Sequence, residues 1–136
     1  SREGTLRGLR VNRETVRLFF DFVDRNQYGF IIGLRELHGA SPALRAALRR
    51  AMESFAEDMA EDLARFRLMP VADTRRLEQA SMLVVRQMFM LSMDYMEQTD
   101  PEKRRALISD TEDMVMAVLM GYANLAQLPE KPRLTT

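Results

Sequence analysis

The sequence predicts an all-α fold, a bundle of about five helices joined by short loops. Three observations carry that reading. Leu44, Leu48, Met52, Phe55, Met59, Leu63 and Phe66 recur at spacings of 4, 4, 3, 4, 4 and 3, the apolar stripe of an amphipathic helix of about seven turns. Ser41-Pro42 and Asp100-Pro101 each set a capping residue before a proline suited to the first helical position. No segment combines strand-like alternation with hairpin turn chemistry.

Residues 1–11 hold Gly4, Gly8 and few apolar anchors, and read as the remnant of a connecting helix or linker. Asn12 suits an N-cap, with Glu14 in the first turn. Val16, Phe19, Phe20 and Val23 then form a stripe that Leu18 and Phe22 widen, ending near Asn26-Gln27. The segment from Tyr28 to Leu37, with Phe30, Ile31, Ile32 and Leu34, has a length that also suits a buried strand. A lone strand would leave its backbone groups unpaired, so a helix is expected. His38-Gly39-Ala40 is the break, with Gly39 fitted to a left-handed terminus.

The long helix opened by Ser41 is expected to reach residue 68, with Arg45, Arg49, Glu53, Glu57, Glu61 and Arg65 opposite its apolar stripe. Met69 to Ala72 is a loop. Asp73-Thr74 caps a helix to Gln98, and the last helix runs from Pro101 to Gln127 with a bend expected near Ser109-Asp110-Thr111. Residues 12–127 thus form one domain, and residues 128–136 read as a disordered tail.

Two stretches are too apolar for a helix with one wet face. Met82 to Met96 holds eleven apolar residues in fifteen, and Met114 to Ala123 has the same character. Neither reaches the roughly 20 residues of a membrane span, and charges of both signs flank each instead of aromatic belts. Each is expected to face its own domain on one side and a second subunit on the other. The alternative is a central pair of core helices in a monomer.

The chain of 136 residues has no cysteine, so disulfides, thiolate metal sites and cysteine nucleophiles are excluded. It opens with Ser1-Arg2-Glu3-Gly4 and not with an initiator methionine, and reads as a piece of a longer protein. No secretory signal, lipidation motif or membrane span is visible. The net charge of zero hides an asymmetry: residues 1–50 carry ten arginines and five acids, leaving the remainder net negative. The basic half suits an anion or a solvated helical surface. No zinc finger, RNA-binding aromatic signature or helix-turn-helix is present.

Candidate chemistry is sparse. Glu57, Asp58, Glu61 and Asp62 stack four carboxylates on adjacent turns, but helical di-iron sites need Glu-x-x-His pairs and His38 is the one histidine. The acids fit a solvated face. His38 lacks a catalytic partner, and no phosphate loop or nucleophile elbow occurs. An enzyme is not expected, and neither is a metal or cofactor. The eleven methionines and seven phenylalanines suit a helical bundle with an apolar cavity, or ordinary core packing. Arg35, Glu36, Arg86, Ser92 and Asp94 interrupt apolar segments. If buried they need partners, at a dimer seam or at the polar end of a cavity; otherwise they turn to the surface.

Three stretches together resemble the C-terminal regulatory domain of TetR-family bacterial repressors. They are the Phe-rich run Val16 to Val23, the segment Phe30 to Gly39, and the Ser41-Pro42-Ala43-Leu44-Arg45 opening of a helix containing Phe55 to Leu63. Two apolar helices complete the pattern, and Leu34-Arg35-Glu36, Pro42-Ala43-Leu44-Arg45 and Ser92-Met93-Asp94-Tyr95-Met96 make it most similar to the branch that represses unsaturated fatty-acid synthesis. The resemblance covers residues 12–127. It implies a cytoplasmic regulator, with DNA bound through an N-terminal helix-turn-helix domain absent from this sequence. It implies a homodimer joined by the last two helices as an intermolecular four-helix bundle, and an apolar small-molecule effector, a fatty acid or acyl-CoA. Within that frame the helix faces nominate Phe19, Phe22, Phe30, Leu34, Phe55, Met59, Met88, Phe89 and Ser92 for the ligand. Val85, Leu91, Tyr95, Val115, Leu119 and Tyr122 are nominated for the dimer interface. A ligand-free dimerisation module is the rival reading.

Overall fold

Residues 2–37, 39, 41–69 and 72–129 are described in a computed structural model, and among them the chain forms five α-helices and no strand. These are α1 (Arg2–Arg25), α2 (Gln27–Leu37), α3 (Pro42–Arg65), α4 (Thr74–Glu97) and α5 (Pro101–Leu125). Three starts follow the capping chemistry read from the sequence. Ser41 Oγ accepts from the Leu44 amide at 3.3 Å, Asp73 Oδ1 from Arg76 at 2.9 Å, and Asp100 Oδ1 from Glu102 at 3.0 Å. Each satisfies a donor that the first turn leaves orphaned. The segment from Tyr28 onward is helical, as the lack of a partner strand requires. His38, Ala40, Pro70, Val71 and the expected tail at 130–136 lie outside the described residues.

Two local expectations are corrected. Asn12 is not a cap. It sits inside α1, where its Nδ2 donates to the Glu112 carbonyl of α5 at 2.9 Å. A tertiary partner overrides the local preference of asparagine for helix ends. α3 stops at Arg65 instead of near residue 68. Arg67 is left-handed (φ 53°), its amide meets the Ala64 carbonyl at 3.2 Å, and Leu68 reaches back to Leu63 at 3.0 Å. That is a Schellman terminus without its usual glycine. Through residues 109–111 α5 continues as helix, with Thr111 buried and its hydroxyl donating to the Leu107 carbonyl at 2.7 Å.

α4 is the central element and packs against all four other helices. It buries Leu77, Ala80, Val84, Val85, Met88, Phe89 and Tyr95, which explains much of its apolar breadth from within its own chain. α1 directs Val16, Phe20 and Val23 into the same core at 0–1% exposure, each stabilising by about 1.5–3 kcal/mol. α3 behaves differently. Its stripe is the clearest in the sequence, yet Phe55 and Phe66 remain 45% and 48% exposed. The reason is that the backbones of α1 and α3 stay apart, the two helices meeting only through side chains such as Phe22 and Phe55, whose rings lie 6.4 Å apart. The seam between them is open.

Candidate binding cavities

Two cavities occupy that seam. The first, of about 360 Å³, is lined by Thr15, Leu18, Phe19, Phe22 and Arg25 of α1, Phe55 and Met59 of α3, and Val85, Met88 and Phe89 of α4. Positions 15, 18, 19, 22 and 25 share one face of α1, next to the face that enters the core. The wall is aromatic. The Phe89 ring lies 6.0 Å from Phe19, 5.5 Å from Phe30 and 5.9 Å from Phe55, and Phe22 lies 5.6 Å from Phe30. Such pairs add about 0.5–1.5 kcal/mol each beyond burial, so the wall is stiff without being filled. Arg25 supplies its one charged group, and Arg25 Nε donates to the Asp21 carbonyl at 3.3 Å.

The second cavity, of about 450 Å³, lies further toward the N-terminal end of α1. Gly8, Val11, Asn12 and Thr15 form one wall, Asp58, Asp62, Leu63 and Phe66 the facing one, and α5 closes it with Val115, Met116, Leu119, Met120 and Ala123. Thr15, Phe55 and Met59 line both cavities. Each volume falls in the range of about 300–1,000 Å³ typical of ligand pockets.

Along its length α1 is held firmly to α4 and α5. Besides the Asn12 bond, Arg13 Nε lies 3.6 Å from the Glu112 carboxylate. Tyr95 Oη donates to Asp24 at 2.8 Å, and the Arg104 guanidinium stacks 4.6 Å above the Tyr95 ring. Burial raises the Tyr95 hydroxyl pKa above its ordinary value, and the Asp24 carboxylate adds to the rise. At the end of the seam, Arg7 Nη2 donates to the Phe66 carbonyl at 2.8 Å, tying α1 to the end of α3.

Of the residues nominated for a ligand, Phe19, Phe22, Phe55, Met59, Met88 and Phe89 come together around the first cavity. Phe30 stands behind the wall as a buttress. Ser92 is fully buried, its hydroxyl donating to its own helix at the Phe89 carbonyl, away from the lining. The Leu34 side chain lies outside the described residues. Thr15, Leu18 and Arg25 were missed, although their i, i+3, i+7 relation to Phe22 and Phe19 on one helix face is legible. The acidic run lies on the solvated face expected of it: Glu57, Asp58, Glu61 and Asp62 are all exposed, and Asp58 and Asp62 also border the second cavity.

The residues nominated for the dimer divide. Val85, Tyr95 and Val115 are only 4–5% exposed in the single chain, so they have little surface left for a partner. Val85 belongs to the first cavity, and Val115 and Leu119 to the second. Leu91 and Tyr122 are half-buried. The apolar side chains that α4 and α5 leave open are instead Leu83, Met90, Met120 and Leu125.

The sequence pattern of the tetracyclin repressor-like C-terminal domain matches residues 10–118. The chain belongs to that family. No curated protein and no solved structure matches it. As a TetR-like C-terminal domain it is of the kind that serves regulators for effector binding and dimerisation, and that is generally non-enzymatic. Among the described residues, no helix is long and apolar enough to cross a membrane.

Proposed function

We propose that this chain is the effector-sensing and dimerisation domain of a TetR-like bacterial repressor acting in the cytoplasm, and that its effector is a fatty acyl chain bound in the first cavity. The observation that carries the reading is the open seam between α1 and α3, spanned by side chains and not by close backbone packing. A helix pair that leaves phenylalanines facing a void gains by admitting an apolar guest. Arg25 at the lining suits a carboxylate or another anionic head group. A coenzyme A moiety is too large for this cavity and would lie outside it, toward the arginine-rich first part of the chain.

DNA is read in this proposal by a helix-turn-helix domain preceding α1. A guest that widens the seam displaces α1 from α3 while Asn12 and Asp24 stay anchored on α5 and α4. The stretch of α1 before Asn12 spans about 15 Å and acts as the lever. Its tilt changes the separation of two reading heads in a dimer, which operators hold at about 34–36 Å. The ligand works through its different affinity for the two arrangements. Leu83, Met90 and Met120, 39–64% exposed on α4 and α5, supply the apolar surface for the partner.

Native mass spectrometry of the freshly purified chain, followed by denaturation of the same sample, tests both halves. A dimer that carries an acyl species, or that takes up hexadecanoate on titration, is the expected result. A dimer that refuses hexadecanoate overturns the effector assignment and leaves a ligand-free dimerisation module. A monomer overturns the regulatory mechanism.

A further inference from the structure

We infer that the second cavity receives the far end of the effector chain, so that the seam selects straight acyl chains of about sixteen carbons over those of about twelve; this selectivity rests on the first cavity being a fatty acyl site. The two cavities abut, sharing Thr15, Phe55 and Met59 in their walls. On α1 their linings merge into one stripe. Gly8, Val11, Thr15, Leu18, Phe22 and Arg25 follow one another at steps of 3, 4, 3, 4 and 3, which is a single helix face. α3 faces that stripe in both cavities, with Phe55 and Met59 common to the two and Leu63 and Phe66 added in the second. Only the floor changes, from Val85, Met88 and Phe89 of α4 to Val115 and Leu119 of α5.

Length decides how much chain each part takes. With a rise of about 1.5 Å per residue, the stripe measures about 15 Å from Arg25 to Thr15 and about 25 Å from Arg25 to Gly8. An extended hydrocarbon advances about 1.25 Å per carbon, its bonds of about 1.5 Å lying in a zigzag. The first cavity therefore takes about twelve carbons, and a chain of about sixteen passes Met59 or leaves its end in water. Charge fixes the direction. Arg25 is the one charged group lining the first cavity, whereas the exposed Asp58 and Asp62 border the second and repel a carboxylate. The head group sits at Arg25 and the methyl end points toward Gly8. Met59 stands at the junction with an unbranched, adaptable side chain. At Gly8 an added Cβ would meet nothing within 4 Å, so the missing side chain leaves the end of the stripe open.

The test is calorimetric titration of the full chain with dodecanoate and with hexadecanoate, each below the concentration at which it self-associates. Burying one methylene strengthens binding about fourfold, so even partial burial of four should make hexadecanoate at least about tenfold tighter. In Gly8→Leu, whose side chain takes up space in the second cavity, that ratio should fall below about threefold. Methyl NMR reads the position directly. A spin label near the methyl end of octadecanoate should broaden the Met116 resonance, from the second cavity, more than that of Met88, from the first. A label near the carboxylate should reverse the order. Two fatty acids that bind alike, a ratio that Gly8→Leu leaves unchanged, or a tail label that favours Met88 overturns the role of the second cavity and leaves the first as the acyl site. Failure of both fatty acids to bind removes the acyl site itself, and the second cavity's role with it.

Discussion

Replacing Asn12 by leucine is expected to stabilise the ligand-free chain. The Asn12 Oδ1 is buried without a partner, and an unmet acceptor of that kind costs about 1–3 kcal/mol. Leucine has nearly the same shape, removes the acceptor and is the better helix former by a few tenths of a kcal/mol (roughly). Against this stands the bond from Nδ2 to the Glu112 carbonyl at 2.9 Å, a contribution of about 0.5–1.5 kcal/mol. That carbonyl lies within α5 and keeps its helical partner, so losing Asn12 does not orphan it. The balance is a gain of about 1 kcal/mol, or roughly 3–5 °C in Tm for a domain of this size. Asn12→Asp is the informative contrast: it retains an acceptor, discards the donor and sets a carboxylate against the Glu112 carbonyl. It should cost about 2–4 kcal/mol. Urea unfolding followed by far-UV circular dichroism measures both, at one protein concentration because association shifts apparent stability. A leucine variant less stable than the parent by about 1 kcal/mol, or an aspartate variant equal to it, would refute the reasoning.

Four further outcomes are expected. Tyr95→Phe keeps the ring under Arg104 but loses the bond to Asp24, costing about 1 kcal/mol. Because the folded Tyr95 pKa is raised, its contribution is complete below the unfolded value of about 10 and disappears as pH rises through the folded value; stability–pH profiles should therefore separate the parent from Tyr95→Phe at neutral pH and converge on the alkaline side. Arg67→Gly relieves a left-handed arginine at the end of α3 and should raise stability by about 1 kcal/mol in the same urea assay. Phe89→Ala removes a ring that contacts Phe19, Phe30 and Phe55; a loss of about 3–5 kcal/mol in thermal unfolding is expected, and a loss below 1 would show that the aromatic wall is not packed as described. Met120→Arg, at a 64% exposed position, should leave the helical content of the chain intact and abolish the dimer in sedimentation, whereas Val85→Arg, at 4% exposure, should disrupt folding itself.

Local chemistry explains which parts of the fold were legible. Ser41, Asp73 and Asp100 announce helix starts because a short side-chain acceptor satisfies the same orphan amide in any context. The helical period of Phe19, Phe22, Phe55 and Met59, with Met88 and Phe89, likewise allowed six residues of the first cavity to be nominated. Where the reading failed, a distant partner was the cause. Asn12 has the composition of a cap and the position of a core residue, because Glu112, a hundred positions away, supplies its hydrogen bond. Arg67 hides a helix terminus that a glycine would have advertised.

By itself, then, the order of residues determined an all-helical chain, most helix starts, the apolar faces and the family resemblance, since these depend on neighbours within a turn or two. Tertiary structure decided which apolar face met which. The breadth of α4 reflects its central place among four helices of its own chain as much as any partner, so Val85, Tyr95 and Val115 are internal. The stripe on α3 packs mainly on α4, and at its edge Phe55 and Met59 border a seam that α1 does not close. Periodicity specifies that a surface must leave water, but the neighbour that covers it, or the cavity left where none does, is set by contacts between residues far apart in the chain.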